Sequence, residues 1–214
     1  HVKHFDVKPE DTLEETVNRV IREETDVLFL DPIRDSETAK TIFQMQERIS
    51  MLSELTARDT VDGLLQILNW VEDAKVVSEA LRGIVSQKLI RLLCTDCKEA
   101  FRPNSKLLEK IGLPPSTQTL FRPPRNPPEE EVAEEDLEPC GICGGIGYLG
   151  RTGMYEFLEI SDAVHKQIAS QPTVDSIKAI IRKEGMQTLQ KDGLRLVAEG
   201  KTSLEELQRI FRTA

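Results

Sequence analysis

The segment DVLFLDPIRDSETA, residues 26–39, decides how the first half of the chain is interpreted. Four consecutive apolar residues, VLFL, are typical of a strand that is covered on both faces. Pro32 predicts the end of that strand, because proline has no N–H to donate to a sheet ladder. Asp35 or Ser36 can then cap a helix that runs to about Gln46. The segment therefore predicts a strand, a polar loop and a helix in succession.

The rest of the chain alternates between strand and helix patterns. Apolar residues at helical spacing predict a helix over residues 11–24, and IleSerMetLeu at 49–52 can form a short strand. Further helices are predicted over residues 60–70, 75–93, 162–170, 174–183, 188–199 and 203–211, and an apolar strand within 147–160. Strands alternating with helices and followed by a helical tail predict an α/β fold with a small α-helical C-terminal subdomain.

The composition, with 39% hydrophobic and 30% charged residues, is ordinary for a soluble globular protein. There is no run of 18 apolar residues and no visible signal peptide, so no membrane-spanning helix is predicted. Because the first residue is His1 rather than Met, we expect the chain to be a fragment of something longer. The net charge of -9 is concentrated in one place, Glu129, Glu130, Glu131, Glu134, Glu135, Asp136 and Glu138. No broad basic face is predicted, and no nucleic-acid partner is expected.

The segment from about residue 103 to 139 differs in composition from its surroundings. It contains RPPRNPPEEEVAEEDLEP, with five prolines and the acidic run, which cannot fill a hydrophobic core. We therefore expect a mobile loop there.

All four cysteines lie in two C-x-x-C pairs, Cys94 with Cys97 and Cys140 with Cys143. Each pair lets two thiolates approach one ion from a single turn, and two such turns complete a tetrahedral sulfur site for zinc. Four sulfur ligands leave no position for a reactive water, so the predicted Zn²⁺ is structural. The alternatives are two disulfides, which require an oxidising compartment, and thiols that only pack.

The order of four motifs resembles that of the type II secretion and type IV pilus assembly ATPases. The motifs are IRDSETA, LCTDC, CGICGGIGYLGRTGMYEFLEI and GLRLVAEGKTSLEEL, and the resemblance runs from about Val7 to the C-terminus. It implies a partial RecA-like P-loop NTPase core in residues 1–93, an inserted zinc-binding module in 94–150, and a returning strand with the helical subdomain in 151–214. It also implies ATP and Mg²⁺ as cofactors, a hexamer or other oligomer, and work in the cytoplasm against an inner-membrane platform or other secretion components.

Four positions depart from the pattern of the family. Where the resemblance implies Gly-Glu after the first strand, with the glutamate orienting the attacking water, this chain has Asp31 and Pro32. Where it implies two histidines that face the nucleotide, the chain has Ser50 and Ala57. A proline cannot act as a general base, so hydrolysis is not expected from this chain. Arg34 and Asp35 match the family, and the resemblance implies contact with a neighbouring subunit or nucleotide; the favoured interpretation is structural, a solvated ion pair and a helix cap.

Two basic features have ordinary interpretations. Gly200-Lys201-Thr202 mimics the end of a Walker A motif, but Arg195 stands where its first glycine belongs, so we expect a helix C-cap and a new helix at Ser203. Ser203 and Glu206 have the spacing of a capping box. Basic residues surround the first cysteine pair, which is the only support for a zinc-ribbon nucleic-acid binder: Lys88, Arg91, Lys98 and Arg102.

The favoured hypothesis is a degenerate, non-hydrolysing secretion-ATPase-like subunit that assists assembly or regulation of a protein-export or pilus system. The alternative is the C-terminal half of an ATP-binding motor whose Walker A motif lies upstream of residue 1. Both predict a cytoplasmic protein, peripheral at the cytoplasmic face of the inner membrane. They differ in whether ATP is turned over.

Overall fold

The computed structural model describes residues 2–8, 10–30, 32–125, 139–170 and 172–212. Its elements confirm the predicted α/β class. In chain order they are α1 (Leu13–Ile21), β1 (Val27–Phe29), α2 (Ser36–Gln44), β2 (Ser50–Leu52), α3 (Thr60–Val71), α4 (Ala74–Ala80), β3 (Gly83–Leu93), β4 (Glu99–Phe101), α5 (Ser105–Ile111), β5 (Leu120–Arg122), β6 (Tyr148–Glu159), α6 (Asp162–Ala169), α7 (Val174–Lys183), α8 (Leu189–Ala198) and α9 (Leu204–Arg212).

The chain divides into two compact units. Unit 1 comprises His1–Ser86 and Phe157–Met186, and unit 2 comprises Gln87–Glu156 and Gln187–Ala214. The division falls within β3 and β6, which are hydrogen-bonded to each other. The predicted modules have other boundaries, at residues 93 and 150, and they stay a prediction.

Unit 1 contains the predicted strand, loop and helix of residues 26–39. Strands β1 and β2 are parallel, with Val27 opposite Ser50 and Phe29 opposite Leu52. Of the two candidate caps, Asp35 begins α2, and its Oδ1 accepts the Thr38 N–H at 2.8 Å. The core of the unit is formed by side chains of α2, α3, α4, α6 and α7, including the fully buried Leu64, Val77, Ile168 and Ile177. The predicted strand–loop–helix order is therefore present.

The expectation that β1 is covered on both faces is wrong for the described residues. Val27 and Phe29 are 53% and 62% exposed, and Leu52 of β2 is 61% exposed. On the other face, Leu30 and Met51 pack against the core of unit 1. A continuous apolar run shows that both faces of a strand are apolar. It does not show whether another element packs against each face.

The predicted helix over residues 75–93 is also wrong beyond residue 80. Helix α4 ends at Ala80, and the chain continues as β3, where exposure alternates from residue to residue. Val85 is 64% and Leu89 54% exposed, whereas Ile90 is fully buried. Apolar residues at positions four apart satisfy a helical period and a strand period equally, so the pattern was ambiguous. Pairing with β6 selects the strand.

Unit 2 contains ordered structure where a mobile loop was expected over residues 103–139. Residues 105–111 form α5, and β5 pairs antiparallel with β4, Glu99 lying opposite Arg122. Asn104 caps the start of α5, and Gly112, with φ of 75°, caps its end. Leu108 and Leu120 are buried at 4% and 0% exposure. The prolines and acids that suggested the loop lie mainly in residues 126–138, which are outside the described residues.

The helical tail agrees with its prediction. Helices α6 and α7 lie in unit 1, and α8 and α9 lie in unit 2, close to the predicted bounds. In unit 2 the core gathers apolar side chains from strands and tail helices, including the fully buried Ile90, Leu120, Met154 and Val197. The helices of the described residues are all too short or too polar to cross a membrane.

Candidate functional sites: a sulfur cluster and a sheet edge

The four cysteines lie on two tight turns of unit 2. In the first turn Lys98 N donates to Cys94 O at 3.1 Å, and in the second Gly144 N donates to Cys140 O at 2.7 Å. The turns are joined by the Cys94 N–H, which donates to Gly147 O at 3.0 Å. Gly147 has φ of 78°, and a Cβ there would lie 2.5 Å from Pro123 Cβ, so only glycine fits.

The sulfur atoms have the separations of a tetrahedral metal centre. All four Sγ atoms lie within 4.8 Å of one another. Cys94 Sγ is 3.9 Å from Cys140 Sγ, and Cys97 Sγ is 3.6 Å from Cys143 Sγ. Two sulfurs bound to one zinc ion at about 2.3 Å are about 3.8 Å apart in a regular tetrahedron. The donor set and its spacing therefore fit a four-coordinate metal ion such as Zn²⁺.

Burial and hydrogen bonds affect the charge state of the sulfurs. Desolvation by burial, together with hydrogen bonds from the neighbouring sulfurs, raises the pKa of the Cys97 thiol well above its usual range. A metal ion would supply the positive charge that allows four thiolates to form here. The Gly147 N–H donates to Cys143 Sγ at 3.2 Å, which also stabilises a thiolate. As a protonated thiol, Cys140 Sγ donates to Asp96 Oδ2 at 3.5 Å, a neighbour that sequence reasoning did not identify, and this bond would be lost on metal binding.

The alternative of two disulfides does not agree with this geometry. All four cysteines are free, and the short S–S distances join residues of different C-x-x-C pairs. A disulfide requires about 2.05 Å between the sulfurs. Thiols that only pack remain compatible with the distances, and measurement of bound metal distinguishes them from a metal centre.

The second candidate site is the edge of unit 1 where β1 and β2 end. Leu30 N donates to Leu52 O at 2.9 Å and Ile33 N donates to Glu54 O at 2.8 Å, so the chains stay paired on both sides of Pro32. The carboxyl ends of parallel strands are where α/β proteins place ligand-binding groups. Pro32 lies at this carboxyl edge and offers it neither an N–H nor a carboxylate. Asp31 lies outside the described residues.

Arg34 and Asp35 have different surroundings at this edge. Asp35 is a helix cap, and the hydrogen bonds from Thr38 lower its pKa from the ordinary value. The ion pair expected between Asp35 and Arg34 is not among the ion pairs of the described residues. Arg34 is exposed, and within the described part of the chain it makes no hydrogen bond or ion pair.

Glu54 is a residue of this edge that the sequence did not identify. It follows β2, is exposed, and its carbonyl accepts the Ile33 N–H beside Pro32. Its side chain makes no hydrogen bond or ion pair to any described residue. Only the parallel register of β1 and β2 places Glu54 next to Pro32, and that register could not be derived without the structure.

Ser50 and Ala57, the other residues that differ from the family pattern, do not both lie beside Pro32. Ser50 begins β2 and pairs with Val27, at the amino ends of the strands, whereas Pro32 follows their carboxyl ends. Ala57 lies in the loop before α3, beyond Glu54. The structure therefore brings Pro32 and Glu54 together but separates Ser50 from them.

The Walker-like tripeptide has the ordinary role that was predicted. Gly200 N donates to Val197 O at 3.0 Å and Lys201 N donates to Leu196 O at 3.0 Å, which caps the end of α8. Thr202 Oγ1 donates to Arg91 O at 2.7 Å. These donors are already used, so no backbone cradle for a phosphate forms here.

Comparison with known proteins gives the family. The model of the type II/IV secretion system protein family matches residues 1–209, and the chain therefore belongs to that family. It is 30% identical to the type IV pilus assembly ATPase PilB of Thermus thermophilus, over 92% of this chain and 21% of that protein. It is 28% identical to the type II secretion system ATPase E of Vibrio cholerae, over 90% of this chain and 36% of that protein. The predicted family resemblance is confirmed.

The chain spans only about a third or less of the curated relatives named above. Among solved structures it is similar to the ATPase DotB of Legionella pneumophila, with a TM-score of 0.59, 11% identity, and coverage of 95% of this chain and 43% of that one. DotB of Yersinia pseudotuberculosis gives a TM-score of 0.58 at 9% identity, with coverage of 94% and 40%. At these identities the likeness concerns the fold alone.

Proposed function

We propose that this chain is the C-terminal part of a secretion or pilus assembly ATPase-like protein that no longer hydrolyses ATP and acts by assembly with other subunits. The observation that carries the proposal is Pro32 at the carboxyl edge of β1 and β2, paired on both sides by backbone hydrogen bonds. The edge keeps the Asp35 cap and an exposed Arg34. It has no carboxylate on residue 32 to orient an attacking water.

A second candidate is a working ATP-binding motor, favoured by the exposed Glu54 beside Pro32. In this candidate Glu54 replaces the glutamate of the family, and the phosphate loop lies upstream of residue 1. Nucleotide binding and turnover, measured on one sample of the full-length protein, separate the two candidates.

The first candidate predicts ATP turnover at background level whether or not ATP binds. The double change Asp31→Gly with Pro32→Glu, which restores only the Gly-Glu of the family pattern, should then raise turnover above background. Turnover by the unchanged protein that is lost in Glu54→Gln, but kept in the exposed control Glu47→Gln, would establish the second candidate and exclude the first.

We also propose that the four cysteines hold one structural Zn²⁺, which cross-links the two turns of unit 2. The support is the all-sulfur donor set with separations of 3.6 and 3.9 Å. Reduced protein should contain about one equivalent of zinc. Cys94→Ser and Cys143→Ser should each lower that content strongly, and zinc below half an equivalent in the unchanged, reduced protein would contradict the proposal.

By family membership we propose a RecA-like identity for residues 1–93 and a hexamer or other oligomer in the cytoplasm. Its partners would be an inner-membrane platform or cytoplasmic secretion components. Light scattering of the full-length protein measures the oligomer, and cell fractionation measures the location. A monomer at micromolar concentration, with or without nucleotide, would contradict the oligomer.

A further inference from the structure

A cavity of about 410 Å³ is lined entirely by residues of unit 2. Its volume is within the range of ligand pockets in proteins. Three cationic side chains line it, Lys98, Arg151 and Lys201, and Glu199 is its one acidic lining residue. Together these four side chains give the cavity a local excess of positive charge.

We infer that this cavity binds a phosphate-class anion through the side chains of Lys98, Arg151 and Lys201. The Walker-like tripeptide contributes Lys201 to it as a side-chain cation, while its backbone donors cap α8. The site is therefore different in kind from a phosphate loop.

Lys98 is held in place at the cavity wall. Its Nζ donates to Gly200 O at 2.9 Å and lies 4.4 Å from the centre of the Phe121 ring. An ammonium group has three N–H donors, so two remain after this hydrogen bond. A fixed cation with free donors loses little conformational entropy when it binds an anion.

Arg151 and Lys201 supply the more accessible charge. Arg151 is exposed, and among the described residues no hydrogen bond or ion pair occupies its guanidinium. Lys201 Nζ lies 2.8 Å from Glu199 Oε2, but both side chains are partly exposed, and such pairs are weak. The hydroxyls of Thr95 and Thr152 also line the cavity and can donate to phosphate oxygens.

Titration calorimetry with inorganic pyrophosphate tests the inference on the full chain, reduced and supplied with one equivalent of Zn²⁺. Arg151→Gln with Lys201→Gln should weaken binding at least about tenfold, which corresponds to about 1.4 kcal/mol. The charge-matched control Lys106→Gln with Lys191→Gln, at exposed positions of the same unit, should change it less than about twofold. Equal weakening in both variants would show nonspecific attraction and overturn the inference.

Glu199→Gln gives a test in which binding should become tighter, because none of the three cations is removed. Removing the one carboxylate of the cavity should tighten pyrophosphate binding several-fold, because repulsion is removed and Lys201 is released. Unchanged or weaker binding by this variant, in protein with the zinc content and circular dichroism of the unchanged chain, would overturn the inference.

Co-sedimentation with vesicles distinguishes a free phosphate compound from a lipid headgroup. Phosphatidylcholine vesicles with and without phosphatidylglycerol are compared, using the same variants. Pyrophosphate binding that depends on the cavity residues supports a free anion, and vesicle binding that depends on them supports a headgroup. If neither probe distinguishes the cavity variant from its control, the inference is wrong.

Discussion

Glu206 is a buried carboxylate that remains charged because two arginines surround it. Its side chain is 1% exposed, and Arg209 donates to it at 2.7 and 2.8 Å. Arg91 donates at 2.5 Å and stacks over the Tyr148 ring at 4.2 Å. Desolvation acts to raise the pKa of Glu206, but the hydrogen bonds from Arg209 and Arg91 outweigh it and lower the pKa to about 2.

This lowered pKa predicts an acid-dependent loss of stability. The ordinary pKa of a glutamate is 4.5, and in the folded protein Glu206 titrates at about 2. Its contribution is therefore complete above pH 4.5 and is lost as the pH falls from there toward 2, by up to about 3 kcal/mol. Urea unfolding of the unchanged protein and of Glu206→Gln, measured at several pH values between 6 and 3, checks this prediction. The difference between their free energies of unfolding should become smaller as the pH falls.

Substitution of Glu206 tests how much its buried carboxylate contributes to stability. At pH 7 we expect Glu206→Gln to lower the free energy of unfolding by about 3 kcal/mol, because Arg91 and Arg209 lose their buried counter-charge. The neighbouring Glu205 is exposed, so Glu205→Gln should change it by less than about 0.5 kcal/mol. Equal effects of the two substitutions in denaturant unfolding would show that the buried network does not stabilise unit 2.

Among the secondary-structure elements, α5 and β5 are ordered although the composition of residues 103–139 predicted a mobile loop. Prolines and acids dominate the segment, yet Asn104 and Gly112 mark the two ends of α5 as clearly as any cap in the chain. Leu120 places β5 in the core of unit 2. Capping residues and single buried leucines are local signals, and an average over forty residues conceals them.

The packing of β5 gives a prediction at this scale. Leu120→Ala removes a fully buried side chain and should cost about 3 kcal/mol in denaturant unfolding. Leu89→Ala, at a 54% exposed position of β3, should cost less than about 1 kcal/mol. If the two substitutions had the same cost, β5 would not belong to the core.

Prediction from the sequence succeeded where a structural feature depends on residues close together in the chain. The Asp35 cap, the tail helices and the two C-x-x-C turns all depend on neighbours within a few positions. It failed for β3, whose strand form depends on a partner strand far along the chain. It also missed Glu54, because the parallel pairing of β1 with β2 is what brings it to Pro32. Contacts distant in sequence were the common cause of both failures.

For the whole molecule, the division into two units predicts that metal removal has a local effect. The sulfur cluster lies in unit 2, whereas Trp70, the single tryptophan of the chain, lies in α3 of unit 1. Chelation under reducing conditions should therefore leave the Trp70 fluorescence nearly unchanged. Amide exchange should accelerate at Cys94, whose N–H joins the two turns, and at Gly144, whose N–H closes the second turn.

Re-addition of Zn²⁺ should restore the protection of those amides. The amides of α3 serve as the internal reference in the same exchange experiment. Uniform loss of protection across both units, or no change in unit 2, would contradict the local role of the metal.

The pairing of Cys94 with Cys140 and of Cys97 with Cys143 also determines how length changes between the turns are tolerated. An ion that joins the turns closes residues 98–139 into a ring, and the entropy of closing a ring grows only with the logarithm of its length. Doubling the number of residues between the turns would then cost only about 0.6 kcal/mol. Insertions between the turns should therefore be tolerated, and in a polypeptide severed within 126–138 the ion would be an added link between two pieces that the pairing of β3 with β6 also joins.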